Sequence, residues 1–552
     1  MKKSLKILSM VMAVVMLISV FAVSAFAGDN DYVRYVTATG SATAKGTKSN
    51  PWSPYDLAYG TAAETINEKI AAGDRTGIVI NVSDEEIYYE SLSIIGLQGT
   101  EATPITVVCN YNSGAINGEG SSSSLSTEQG NAINIIDCSY VTVKNINVSA
   151  INGDGIHIEN SSNIVIENVD SYIANQDVTK TMNNPIAFEG ENSNVSISGC
   201  DFSLVEAPIV MDSSVANVTF SNGSVEYSKG AALVVDGLDG FKVDGFTAKC
   251  AYYVEIEEGE EIAPVYDAAV VIKNSDNVNF TNAKISECNG PAISLINTKN
   301  TTVSNVFSSK NASFMINDLG AENNVCITYC ISSCDGRLPT VFSISDASSM
   351  GIINNTFYKP QAIDMSKLTV SVIANNIYDM ELLGNVSINK ANVFKTNCYH
   401  NTMKNEDDDA VLAHPQYASS NGMTGLSMSE FILDDDSPMV EAGTNIFAEY
   451  GAVLPLTWFV VEDMFGNAIF EKDFTNIGAY AGEGVQVKQD EEVNQTRDTI
   501  SFYYNVVKSK VQNFIDMVVP APVQAVFEEV FEKISERTAE IITKIIGKFS
   551  NK

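Results

Sequence analysis

Basic residues are scarce in this 552-residue chain, where 33 Lys and Arg stand against 68 Asp and Glu to give a formal charge of −35. A surface so poor in cations has no sequence-independent grip on a phosphate backbone, so nucleic acid is excluded as a partner, and a general affinity for anionic lipid is disfavoured. Histidine occurs only three times and tryptophan twice. The nine cysteines are an odd number spread from Cys109 to Cys398, which matches neither a disulfide framework nor a zinc-ligand spacing. Buried thiols are expected, with one bridge among Cys326, Cys330 and Cys334 left open. After residue 27 no run reaches the roughly 20 apolar residues that a spanning helix needs. Wholesale disorder is excluded too, because apolar residues make up 45% of the chain and charged ones only 18%.

The charge divides the chain into three parts. Residues 1–27 place Lys2, Lys3 and Lys6 before an apolar run from Ile7 to Val23 and end on Ala25-Phe26-Ala27, the order of a secretory signal peptide cleaved after Ala27. The expected protein is therefore exported, either secreted or held at the cell surface. Residues 28–495 hold 22 basic and 61 acidic residues, a charge of −39, whereas residues 496–552 carry +1. In that last part the apolar period changes to 3.6. Ile500, Tyr504, Val507, Val511, Phe514 and Val518 form one stripe and Val523, Phe527, Val530 and Ile534 begin another, with Pro520 and Pro522 between them. Two amphipathic helices are expected over 485–552, closing on themselves or on the body. Partner docking and contact with a membrane or cell surface stay open.

Self-similarity is the strongest signal in the body. Apolar-x-apolar triplets follow Ala132, Gly155, Pro185, Pro208, Ala232, Ala269, Ala292, Ser313 and Thr340, at a base period of about 23 residues with longer steps of 30, 37 and 27. The inward pairs run Ile133 and Ile135, Ile156 and Ile158, Ile186 and Phe188, Ile209 and Met211, Leu233 and Val235, Val270 and Ile272, Ile293 and Leu295, then Phe314 and Ile316. Each unit reads as short alternating strands broken by Asn, Ser, Gly and Asp. Stacking such units so that every strand pairs with its copy in the next satisfies both the backbone and the apolar column, which predicts an all-β parallel β-helix solenoid. Asn163, Asn217, Asn277, Asn300 and Asn323 recur at matched turn positions, where asparagine tolerates left-handed backbone.

These residues resemble the secreted right-handed parallel β-helix proteins of the pectate-lyase-like group, a set that includes polysaccharide lyases, glycoside hydrolases and non-catalytic surface proteins. The opening Tyr35-Val36-Thr37-Ala38-Thr39-Gly40-Ser41, Gly46-Thr47-Lys48-Ser49-Asn50-Pro51-Trp52, a capping helix near Ala62 to Ala72, and the strand Pro104-Ile105-Thr106-Val107-Val108 carry the likeness. So do the closing motifs Asn397-Cys398-Tyr399-His400, His414-Pro415-Gln416-Tyr417, Ser437-Pro438-Met439-Val440-Glu441-Ala442-Gly443-Thr444 and Asn476-Ile477-Gly478-Ala479-Tyr480, where His414 stands in place of the group's usual Asp. The expected organisation is a cap and first strands over 28–118, repeats over 119–400, closing coils over 401–484 and the helical tail. Pro438 and Gly443 fit the turns that would close the last coil.

The resemblance places catalytic groups on the outside of the coil, where insertions raise a groove. The long steps locate insertions at Ala174–Asn184, Cys250–Asp267 and Ile331–Leu338. A lyase of the group needs a base beside the substrate carboxylate and a cation or Ca²⁺ held by carboxylates, for which Asp154, His157 and Lys180 are the catalytic candidates and Asp170 and Asp177 the Ca²⁺ candidates. Glu159 lies beside them. His157 alternates with Ile156 and Ile158, so its ring points outward. The body charge opposes a polyuronate unless Ca²⁺ intervenes. A glycoside hydrolase needs two carboxylates, and outward acids such as Glu159, Glu189, Asp212 and Asp236 are too abundant to single out a pair. The run Glu255 to Glu261 reads as a solvated loop with weak Ca²⁺ affinity at most. One outward column, Asn134, His157, Ala187, Val210, Val234, Val271, Ser294, Met315 and Phe342, turns apolar at its centre, and Tyr252 and Tyr253 or the tail helices are expected to cover it. The sequence thus describes a β-helix protein that binds or processes extracellular polysaccharide. The alternative is a non-catalytic cell-surface or adhesion protein attached through its helical tail.

Overall fold

A computed structural model describes residues 31–485 apart from internal segments, the longest being 110–122, 172–181, 254–264, 319–323, 334–341 and 470–474. The expected signal peptide and tail helices lie outside the described residues, as do Cys334 and the Glu255 to Glu261 run. Short alternating runs become strands because each has one face to bury, and a copy of that face recurs one period later. Every ladder between strands is parallel. The strands form three long faces: a 16-stranded sheet from Tyr32–Val36 to Val393–Lys395, a nine-stranded sheet from Asp201–Val205 to Cys398–His400, and a face made of a four-stranded sheet followed by a six-stranded one. This is the parallel β-helix the repeat predicts, of the right-handed kind the resemblance implies.

Register in the first sheet stacks Ile80, Val107, Val143, Ile166, Ile197, Phe220, Val243, Phe280, Val303, Ile327, Ile352 and Ile373 in one line. All twelve are buried, each contributing about 1.5–3 kcal/mol of apolar transfer. The predicted inward pairs are likewise buried from Ile133 to Leu295, except that Phe188 is half-buried. Phe314 is buried in the core as the pattern predicts, although the register differs by one residue there, with Met315 opposite Ile293. The strand Pro291–Ile296 begins one residue earlier than its anchor Ala292 suggests, with Pro291 opposite Ser313.

Turns use asparagine as expected. Asn163, Asn217, Asn277 and Asn300 have φ between 46° and 56°, while Asn323 falls outside the described residues and its neighbour Asn324 takes the left-handed role at φ 45°. A second asparagine ladder runs inside. The side-chain oxygens of Asn355, Asn376 and Asn397 accept the backbone N–H of Cys330, Asn355 and Asn376, each at 3.0 Å, and Asp407 ends the series by accepting from Asn397. These buried amides peg one corner of successive coils.

At the start, α1 (Pro54–Tyr59) and α2 (Ala62–Ala72) cap the coil, burying Leu57, Ala62 and Ile66. Gly73 ends α2 in the left-handed conformation that suits glycine. At the other end Val411 makes a parallel bridge to Cys398, and the chain then returns along the outside through 3₁₀ turns at Met428–Phe431 and Leu456–Trp458 and a short helix, Ile446–Tyr450. Phe431, Leu433, Met439, Phe465 and Ile477 pack on Phe307, Ile331, Tyr358, Ile377 and Cys398 of the nine-stranded sheet. Trp458 packs with Cys326, Ile353 and Ala374. The returning segment is apolar enough to cover a sheet face but lacks the triplets needed to extend one. Gly443 approaches the backbone of Asn476 within this segment, where a Cβ would clash.

Candidate functional site

Strand Ile156–Glu159 lies between Ile133–Ile136 and Ile186–Glu189, with His157 opposite Asn134 and Ala187, and Glu159 opposite Glu189. Ile156 and Ile158 face the core, so His157 and Glu159 project outward as expected. The ring meets carboxylates on both sides: Asp154 Oδ2 is 3.7 Å from Nδ1, and Glu159 Oε2 and Glu189 Oε2 are 3.8 and 3.6 Å from Nε2. His157, Glu159 and Glu189 each offer one polar atom within 4.8 Å of the others. The nearby Asp154 carboxylate is the main reason the imidazole is held above its ordinary pKa; Glu189 and Glu159 reinforce it and partial burial opposes it. Nδ1 is itself buried without a hydrogen-bond partner. The arrangement stabilises an imidazolium that can give up a proton on the coil's outer face.

Asp154 is anchored on the turn below the ring. Its Oδ1 accepts the Asn184 N–H at 3.2 Å, and its own N–H donates to Asn131 Oδ1 at 3.0 Å. A Cβ on the preceding Gly153 would overlap the Gly130 carbonyl, so glycine lets two turns approach there. Of the predicted residues, the structure therefore brings Asp154 and His157 together. Asp170 stands on another face, in strand Ser162–Ser171, where its carboxylate accepts the Asp201 N–H at 3.1 Å and burial raises its pKa. Lys180 and Asp177 lie outside the described residues.

Beyond Ala187 the column continues through Val210, Val234 and Val271, register partners that are each half-buried. Of the expected cover, Tyr252 packs against the core and the Tyr253 ring stands edge-on to Tyr227 of the nine-stranded sheet at 5.4 Å, so these contacts place neither over the valines. A charged cluster and a shallow apolar strip thus share one outer face.

The anchors Gly155 and Pro185 already set Glu159 and Glu189 at the same offset in successive turns, but among so many outward acids the sequence singled out no pair. It also named His400 and His414 only as parts of closing motifs. The signal lay in scarcity and period: two of three histidines fall in one stretch, and Asp379 precedes His400 by 21 residues, one coil.

No family model and no curated protein matches this chain. Among solved structures, it is similar to a GH136 lacto-N-biosidase from Eubacterium ramulus, at 15% identity over 66% of this chain and 68% of that one, with a TM-score of 0.40. It is also similar to the enzymatically active domain of bacteriophage CBA120 tailspike protein 2, at 12% identity over 57% and 47% with a TM-score of 0.38. A third is the A-module of an Azotobacter vinelandii mannuronan C-5 epimerase, at 13% identity over 60% and 93% with a TM-score of 0.36. The fold rests on the strand register of this chain itself, and no activity is transferred from these neighbours. No helix among the described residues is long and apolar enough to cross a membrane.

Proposed function

We propose that this chain is an exported protein that binds extracellular polysaccharide on the outer face of its coil and cleaves a neutral glycan there by acid–base chemistry. The observation that carries the reading is the half-buried His157 set between Asp154, Glu159 and Glu189. Glu159 and Glu189 serve as the carboxylate pair, His157 as the proton-bearing group and Asp154 as its positioning residue. Their close approach is nearer the roughly 5–5.5 Å separation of a retaining glycosidase than the wider gap of an inverting one. The half-buried valines alongside give the apolar face of a sugar ring a surface to rest on. A body at −39 favours a neutral chain over a polyuronate.

The test incubates the protein, with and without Ca²⁺, against a panel of neutral and uronate polysaccharides, reading new reducing ends and the ultraviolet absorbance of unsaturated products. Hydrolysis of a neutral glycan, cut on the order of 100-fold by Glu159→Gln or Glu189→Gln, is the expected result. Unsaturated products that require Ca²⁺ and are lost in Lys180→Met would move the reading to a lyase with Asp170 and Asp177 holding the ion. Binding without cleavage leaves the surface-protein alternative, and no binding to any glycan overturns the proposal.

A further inference from the structure

The returning segment builds a cleft of about 450 Å³ against the last coils, far along the chain from His157. Its floor is an outward row in which Tyr358, Asp379 and His400 are register partners on three successive parallel strands. Its wall is His414, Tyr417 and Met423, delivered when the chain folds back. Asp379 is almost wholly buried, and its Oδ1 lies 2.7 Å from His400 Nδ1. The His400 and His414 rings meet edge-on at 4.7 Å. His414 Nδ1 accepts the Gln416 N–H at 2.9 Å, a bond the ring gives up when either of its nitrogens takes a metal. One polar atom from each of Asp379, His400 and His414 lies within 4.8 Å of the other two.

Tyr417 is buried in the cleft wall, edge-on to Tyr358 and Phe431, with its hydroxyl beside the Asp379 carboxylate.

We propose that Asp379, His400 and His414 form a binding site for a divalent transition-metal ion of the zinc class. Two imidazole nitrogens and one carboxylate suit that class, whereas Ca²⁺ and Mg²⁺ prefer all-oxygen sets. Three protein donors leave a position open toward the cleft for a bound water or ligand oxygen. The site lies apart from the His157 group, so it stands or falls independently of the glycan reading.

The test titrates Zn²⁺ into chelator-treated full-length protein by calorimetry and uses Co²⁺ absorption as a report on nitrogen ligation. One Zn²⁺ per chain is expected, with affinity weakened by at least roughly tenfold in His400→Ala, His414→Ala and Asp379→Asn and unchanged in His157→Ala. The Co²⁺ bands should disappear with either histidine of the cleft. Because Asp379 is buried and its variant can misfold, the exposed His414→Ala is the deciding case, with its far-UV circular dichroism compared to the parent's. Zinc affinity unaltered in a folded His400→Ala/His414→Ala double variant, or no zinc binding by the parent, would overturn the site.

Discussion

Glu159 and Glu189 are 30 residues apart in sequence and directly opposite in space, register partners on adjacent parallel strands. Like charges so placed repel, and between them stands His157, whose Nε2 lies within 4 Å of both carboxylates and whose pKa is raised. The ring and the two acids are therefore one electrostatic unit, completed by Asp154 from the turn below.

That unit fixes a pH dependence. Asp154 is the leading cause of the raised His157 pKa, so Asp154→Asn should lower the imidazole's titration midpoint more than Glu189→Gln or Glu159→Gln does. A pKa raised on folding adds stability that is fully present below the unfolded value of about 6.5 and is lost as pH rises through the folded value. His157→Gln should remove that part of the stability profile. With three histidines in the chain, imidazole resonances followed by NMR through a titration test this directly; an unmoved His157 midpoint in Asp154→Asn would refute the assignment.

Asn376 should be among the least replaceable residues of the coil. Its oxygen accepts the N–H of Asn355 and the Asn355 side-chain amide, each at 3.0 Å, and its own amide donates to Ile352 and Asn397. Asn376→Leu removes all four bonds and strands a buried backbone N–H. A loss of about 3 kcal/mol in denaturant-induced unfolding is expected. A loss below ~0.5 kcal/mol, the level of an inert surface change, would show that the ladder does not hold the corner.

The thiols should prove inert. Burial raises the pKa of Cys138 to about 11 and those of Cys200, Cys330 and Cys398 to about 12, so almost no thiolate exists at neutral pH. Cys250 is only half-buried, and it too is raised, by burial and then by the charge of Glu287. Native alkylation should leave the four buried thiols unmodified for hours, with Cys250 the first of the five to react, and denaturant should expose all of them at once. Rapid native labelling of Cys200 or Cys330 would contradict the packing.

The coil was legible because its signal is repetitive. A triplet such as Ile156-His157-Ile158 carries little weight alone, but many copies at one period permit only a stack, and outward His157 followed from inward Ile156 and Ile158. Register was legible across the 30-residue step, where the anchors Gly155 and Pro185 set Glu159 opposite Glu189, but not one turn past Ile293, which the pattern aligns with Phe314 and the ladder with Met315. The returning segment was not legible for a different reason. Its contacts pair Trp458 with Cys326 and Phe431 with Phe307, over separations at which no local pattern survives, so Tyr417 and His414 came to the row of Asp379 and His400 unannounced.

Trp458 offers a way to separate that returning segment from the coil. Its indole N–H donates to the Asn324 carbonyl at 3.2 Å, its ring packs with Cys326, Ile353 and Ala374, and the neighbouring Thr457 carbonyl accepts the Thr302 hydroxyl at 2.7 Å. A Cβ on Gly351 would strike the same ring, so the seat is built closely around it. Trp458→Ala should cost about 3–5 kcal/mol. The coil has its own continuous core and its own ladders, so the loss should appear as an early, separate unfolding step while the β-sheet circular dichroism persists. His414 and Tyr417 ride on the released segment, whereas His157 does not. The variant should therefore weaken zinc binding and leave the His157 titration in place. A single cooperative transition that shifts without splitting would instead mean that the segment and the coil fold as one unit.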